Sequence, residues 1–345
     1  MKQAYYRLNK LDKYNTPYKW IIGQRSNGKT YAVIERGVDN WIDSGLKMAY
    51  IRRYKEDITA PNLRDLLNPQ NIPERTGGEW ERVVYQSRTF YAVRGDRKIE
   101  KSAPICDTFS LHAWERQKGA DRGLYSLILF DEFMTKDQYL PHEVDTFLDV
   151  LSSLLRDRGG VPVYMVGNTV SQFCPYFAEF GFTIDDIKQG EIKQISPQLT
   201  VEYCNPSGKI SSHEYFKGFS GGHAKMITSG SWDFRKFPRL DRHKNYNFLA
   251  RFFIIMYDRK IAGEVRSDKN GMLLFFYPHT GEIRDPDNTI IYSLSPSPNI
   301  LHGNGFDYTP TALHIIIHDL WAAGKAFYSD NATGEAVASF VKGVI

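Results

Sequence analysis

"GQRSNGKT", residues 23–30, follows the apolar run "YKWII" (18–22) and precedes "YAVIERGVDNWI" (31–42). A G-x-x-x-x-G-K-T spacing between a short apolar strand and a helix has the form of a phosphate-binding loop. Gly23 and Gly28 let backbone N–H groups turn inward around phosphates, at a helix N-terminus that already favours negative charge. Lys29 is placed to reach the β- and γ-phosphates, and the Thr30 hydroxyl to ligate Mg2+. Asn27, inside the loop, is counted with the ATP-binding residues. The plain alternative is a glycine-rich turn before a helix, so a second element is needed.

"LILFDEF" (127–133) supplies it. Asp131 ends an apolar strand and Glu132 follows at once. In an open parallel sheet, ligands bind at this edge. Asp131 is expected to hold Mg2+ through water, and Glu132 to polarise the attacking water as general base. The strand "MAYIRR" (48–53) falls between the loop and this pair along the chain. That order, with a catalytic glutamate after the aspartate, is that of the additional-strand P-loop ATPases. "NKLD" (9–12) has the letters of a guanine-reading motif but precedes the loop, so adenine is the expected base. "VPVYMVGN" (161–168) is a further buried strand whose terminal Asn168 stands where a sensor of the γ-phosphate would.

The surrounding pattern predicts an α/β domain over residues 1–206, a mostly parallel sheet flanked by helices. A helix is expected over 29–44, with Val33, Val38, Trp41 and Ile42 inward. Another is expected over 142–158, with Val144, Phe147, Leu148, Leu151, Leu154 and Leu155 inward. Arg156 and Arg158 end that helix; two residues apart, they would point about 200° from each other. One would cap the helix and the other would face a neighbouring subunit as an arginine finger. Residues 81–101 read as an inserted hairpin with "RGD" (94–96) as its turn. A linker rich in Gly, Ser and Lys is expected at 207–235. A small α+β domain is expected at 236–345, with strands in "LARFFIIMYDRKIAGEV" (249–265) and "GMLLFFYPHTGEI" (271–283) and a final helix at 310–327.

Composition narrows the class without deciding it. The 345 residues are 42% hydrophobic and 24% charged, with no apolar run long enough to span a membrane. The N-terminus lacks an apolar signal core, and Cys106, Cys174 and Cys204 form no metal-binding pair, which together predict an intracellular protein. The net charge of +4 divides as +1, +2 and +1 over the three segments, so nucleic-acid contact must come from local clusters such as "RRYK" (52–55). His314 and His318 have the i, i+4 spacing of a zinc pair, but no glutamate or third ligand accompanies them.

With these pieces in order, the chain resembles the DNA-packaging ATPases of small podophages, ring motors that drive double-stranded DNA into a preformed capsid. The likeness rests on "IIGQRSNGKTYA", "YIRRYK", "LILFDEF", the "LLRDR" helix end and "GNTVSQFCPYF", within about residues 18–180. It implies ATP and Mg2+ as cofactors and assigns phosphate binding to Gly23, Gly28, Lys29 and Thr30, with Arg25 matching an arginine in the family's loop. Asp131 and Glu132 match its metal and catalytic acids. Arg156 matches its trans-acting finger, Lys118 in "WERQKGA" a second basic residue offered across the subunit interface, and Lys55 the start of its pore-facing DNA contacts. It further implies a homo-oligomeric ring, expected to be a pentamer, in the host cytoplasm and transiently on the capsid. Its partners would be DNA and the capsid portal, met directly or through a structural RNA, with no membrane. Large-terminase relatives carry an RNase-H-like nuclease; here only Asp258 and Glu264 are in place, so a degenerate RNase-H-like domain is expected. The alternatives are another ring-forming phage ATPase, such as a helicase, or an assembly factor that binds ATP without hydrolysing it. Glu132 speaks against the last.

Overall fold

The computed structural model describes residues 6–95, 103–117, 123–135, 139–156, 158–170, 174–205, 237–240, 246–256, 259–284, 289–293, 302–303 and 312–344. The chain divides into two compact units: Met1–Thr135, His142–Val170 and Phe182–Trp232 form the first, and Lys136–Pro141, Ser171–Gly181 and Asp233–Ile345 the second. The expected linker, Lys118 and Asp258 lie outside the described residues.

The first unit is built on a nine-stranded sheet. Its strands are β1 (Tyr18–Gly23), β2 (Lys47–Arg52), β3 (Arg82–Gln86), β4 (Thr89–Val93), β5 (Ala103–Ser110), β6 (Tyr125–Asp131), β7 (Val163–Asn168), β8 (Ile192–Gln194) and β9 (Leu199–Tyr203). The order is β3-β4-β5-β2-β6-β7-β1-β9-β8, and the run from β5 to β9 is parallel throughout. Strands buried on both faces read as unbroken apolar runs, which is why "WII" and "LILF" carry no alternation. In space the strand between the phosphate-loop strand β1 and the acidic strand β6 is β7; β2 lies beyond β6. The additional strand is therefore the one ending in Asn168, not the one that intervenes along the chain.

Helix α1 (Lys29–Ser44) follows the loop and stops at Gly45, whose φ of 71° lets its N–H cap the Trp41 carbonyl at 2.8 Å. It buries Ala32, Val33, Ile34, Val38 and Trp41 in the main core, whereas Ile42 lies outward. Short helices α2 (Ala60–Leu63) and α3 (Ile72–Arg75) come next, then α4 (Glu143–Leu155); α5 (Pro175–Glu179) follows in the chain and belongs to the second unit. In α4 the buried stripe is Glu143, Phe147, Val150, Leu151 and Leu154, and Leu148 is 38% exposed. Phe147, Leu151 and Leu154 face inward as expected, but the stripe is turned by a fraction of a residue, because Glu143 is fully buried and Val144 and Leu155 only partly. A buried ion pair, described below, explains it.

Two further expectations are corrected. The edge hairpin turns at Ser87 and Arg88, with φ of 49° and 65°, between β3 and β4. Two residues at positive φ match the twist of the flanking strands. Of the "RGD" stretch, Arg94 and Gly95 follow β4, in the connection to its antiparallel neighbour β5, while Asp96 lies outside the described residues. Arg156 is not helical: it sits past the helix end at φ 42°, its N–H on the Ser152 carbonyl at 3.0 Å. The 200° argument for Arg156 and Arg158 therefore does not apply, and the Arg158 guanidinium donates to the Gly123 carbonyl at 3.1 Å.

The second unit holds a six-stranded sheet of β10 (Asn247–Met256), β11 (Arg259–Asp268), β12 (Gly271–His279), β13 (Ile291–Ser293), β14 (His302–Gly303) and β15 (Ala326–Tyr328). Its order is β14-β13-β10-β11-β12-β15, antiparallel from β10 to β12 and parallel at both margins. Helices α6 (Ala312–Ala322) and α7 (Asn331–Val344) are also described in this unit. The helix expected over 310–327 ends at Ala322; Ala326 and Phe327 belong instead to strand β15, and helix α7 follows. Phe276 stacks on Tyr328 and meets Trp321 edge-on, while Phe253, Phe275 and Tyr277 fill the other face.

Candidate active site

Strands β1, β6 and β7 deliver the loop, the acidic pair and Asn168 to one edge of the sheet. Register fixes this: Gly23 is level with Asn168, and Asp131 with Val166. The loop itself needs two left-handed residues, Ser26 at φ 59° and Gly28 at φ 90°. Gly23 is required for another reason. A Cβ there would stand 2.9 Å from the Cys204 Cβ, because the chain leaving β9 closes tightly on the loop.

A cavity of about 310 Å3 opens at this edge, lined by residues 25–31 with Asp131, Glu132, Val166 and Asn168. Lys29 is buried and lies back along the loop. Its Nζ donates to the carbonyls of Gly23 and Gln24 and to the side-chain oxygens of Asn27 and Asn168, the last at 3.2 Å. Burial pushes the Lys29 pKa down to about 8, with Asp131 opposing and Arg25 adding to the shift. The Cys204 thiol is pushed up to about 12, chiefly by burial, and stays neutral. Arg25 is exposed at the rim.

Thr30 and Asp131 meet directly: the Thr30 hydroxyl donates to Asp131 Oδ1 at 2.8 Å. Asp131 Oδ2 accepts from the Tyr50 hydroxyl at 2.9 Å. Oxygen donors of this kind, with room for phosphate oxygens and water, fit Mg2+, which keeps much of its own hydration shell. Among the described residues no group of three or more His, Cys, Asp or Glu could hold a metal by itself. Glu132 stands at φ 57°, and its carboxylate accepts from Arg52 Nη2 at 2.8 Å.

Thus the sequence-predicted residues Gly28, Lys29, Thr30, Arg25, Asn27, Asp131, Glu132 and Asn168 share one cavity, and Gly23 shapes its loop. Arg156 and Lys55 are not in its lining; both are exposed, Lys55 just before a 3-10 turn over Glu56–Ile58. Sequence reasoning missed Tyr50 and Arg52 as partners of the acidic pair. Their signal was present: at i and i+2 on a strand they share one face, next to the strand that ends in Asp131. It also missed Glu143, which opens an amphipathic helix and reads as a solvated first-turn acid.

In the second unit, Glu264 is fully buried. Its carboxylate accepts from Arg251, Arg266 and the Tyr277 hydroxyl, at 2.9, 2.6 and 2.8 Å. Burial opposes its charge, but these hydrogen bonds hold its pKa below the usual glutamate value. Surrounded by protein cations, this acid is poorly suited to a nuclease metal pair.

The family model described as "Podovirus DNA encapsidation protein (Gp16)" matches residues 1–205. The chain is 30% identical over 300 residues to the DNA packaging protein of Bacillus phage phi29, across 85% of this chain and 83% of that one. It is also 30% identical over 288 residues to the DNA packaging protein of Bacillus phage B103, across 82% and 83%. Its fold is similar to that of a chain in the bacteriophage Phi-29 viral genome packaging motor assembly, with a TM-score of 0.67 at 20% identity and 99% of both chains covered. A phosphate loop facing an Asp-Glu pair across this sheet edge, and these matches over most of its length, lead to one statement: the chain belongs to the podovirus DNA encapsidation protein family.

Proposed function

We propose that the protein is an ATP-hydrolysing subunit of a homo-oligomeric ring, a pentamer, that drives double-stranded viral DNA into a preformed capsid. In this reading residues 1–206 are the ATPase domain and 207–235 a linker. Residues 236–345 are an RNase-H-like domain without nuclease chemistry, and the antiparallel-then-parallel sheet order supports that last assignment. The observation that carries the proposal is the meeting of Lys29, Thr30, Asp131 and Glu132 at one cavity, in a chain of this family.

Backbone N–H groups of the loop bind the triphosphate of ATP, and Lys29 exchanges its carbonyl and amide partners for β- and γ-phosphate oxygens. Thr30 and Asp131 hold Mg2+, which when bound offsets the negative charge that builds on the phosphates. Glu132, once parted from Arg52, takes a proton from the attacking water, so that ATP and water give ADP and phosphate. Asn168, already hydrogen-bonded to Lys29, reports the γ-phosphate to β7. Arg156 and Lys118 act on the nucleotide of a neighbouring subunit, and Lys55 meets DNA phosphates without reading bases. The partners are DNA and the capsid portal, with or without a structural RNA, in the host cytoplasm. No helix among the described residues is long and apolar enough to cross a membrane.

The test is ATP turnover with and without double-stranded DNA, beside a mass measurement of the assembled species. DNA-stimulated turnover by a ring is expected. A monomer that hydrolyses no ATP with DNA present refutes the proposal.

A further inference from the structure

We infer that Arg53, anchored by Glu143, is a positioning residue for the general base: it fixes the backbone turn that aims the Glu132 carboxylate at the phosphate-loop cavity. The inference rests on the proposed role of Glu132 and goes beyond it, to what holds that residue in place.

Glu132 occupies the left-handed region at φ 57°, which L-residues with long side chains seldom adopt. Such a turn persists only where its surroundings over-determine it. Here the surroundings include a single guanidinium. Arg53 Nη1 donates to the Glu132 carbonyl at 3.1 Å, and Nη2 donates to the Phe133 carbonyl at 2.7 Å. Both carbonyls lie on the chain just after the dihedral that places Glu132 in the left-handed region, so a fork that holds them fixes the course of the chain as it leaves β6, and with it the turn at Glu132. On its other side the fork is gripped by Glu143: Nε donates to Oε2 at 2.7 Å and Nη2 to Oε1 at 2.9 Å. Arg53 is 4% exposed and Glu143 fully buried, so water competes little for these bonds.

The neighbouring arginine does something different. Successive residues of an extended chain point to opposite sides, so Arg52 reaches the Glu132 carboxylate while Arg53 reaches the backbone beneath it. Arg52 contacts the group that would do the chemistry; Arg53 contacts the backbone that carries it. The pair also accounts for the turned stripe of α4, since Glu143 must face inward to meet Arg53. A lysine could satisfy Glu143 as a point charge but could not hold both carbonyls in the plane of the fork.

The experiment uses the full chain and compares Arg53→Lys with the double variant Arg53→Met/Glu143→Leu, which removes both buried charges together and leaves neither unpaired. Equilibrium binding of a non-hydrolysable ATP analogue and steady-state turnover are measured for each. Binding is expected to stay within about twofold of the parent, while kcat falls by about 10²-fold, the cost of misplacing a reacting group by about 1 Å. Parent-level kcat in a variant that binds the analogue overturns the inference. Equal loss of binding and turnover also overturns it, because that marks a general structural role. Should the double variant not fold, Arg53→Lys alone carries the same two outcomes. Failure of the underlying reading is separate: it is seen in Glu132→Gln, which would then hydrolyse ATP at the parent rate whatever Arg53 does.

Discussion

The buried lysine of the phosphate loop makes ATP affinity depend on pH in a defined window. The protein's own groups leave Lys29 with a pKa of about 8, because burial outweighs the attraction of Asp131 and Arg25 adds repulsion. A triphosphate beside the ammonium raises that pKa, so binding above pH 8 takes up a proton. The dissociation constant then rises as 1 + 10^(pH − 8). Relative to neutral or lower pH it is about twofold weaker at pH 8 and about elevenfold weaker at pH 9. Above pH 8 the ATP phosphates are ionised, and the Cys204 thiol at about 12 does not titrate in this window. The assay is calorimetric titration with a non-hydrolysable analogue in two buffers of different ionisation enthalpy, from pH 7 to 9.5. Proton uptake approaching one per site near pH 9 is expected, and Lys29→Arg should bind without it. A flat dissociation constant to pH 9.5, with no proton uptake, refutes the reasoning. Between about pH 8 and the ordinary lysine value the unfolded chain holds this proton and the folded chain does not, so stability rises with pH there.

Glu132→Gln should bind ATP normally and lose turnover, because the loop and the Thr30–Asp131 pair survive; parent-rate hydrolysis removes Glu132 as the base. Arg156→Ala should slow turnover by about 10³-fold, and rings mixed with Glu132→Gln subunits should regain part of it. No rescue at any ratio, in rings shown to be mixed, excludes action in trans. Lys55→Ala should leave basal ATPase near the parent value, lower DNA-stimulated ATPase, and make the log–log salt slope of DNA binding shallower by about one unit. An unchanged slope with parent packaging returns Lys55 to an ordinary surface lysine.

Chain order alone determined a good deal. "GQRSNGKT" after "WII" and "DE" after "LILF" are local signals, because a phosphate loop is made by consecutive residues and a buried strand writes its burial as an unbroken apolar run. The helix over 29–44 and the acidic pair at a strand end follow from those few residues, and the family follows from their order. What the linear order could not specify was which strand stands beside which. That β7 separates β1 from β6, and that β9 closes on Gly23, are facts of pairing between distant segments. The same holds for Glu143. Its position at a helix start favours solvent, and it turns inward only because Arg53, 90 residues earlier, is buried opposite it. The 3.6-residue period specifies that α4 has an apolar face but fixes its rotation only to within a residue, and one long-range ion pair settles the remainder. Local chemistry is written in adjacent residues; partners for buried charges are chosen by the assembled sheet, since only there does burial make leaving them unpaired costly.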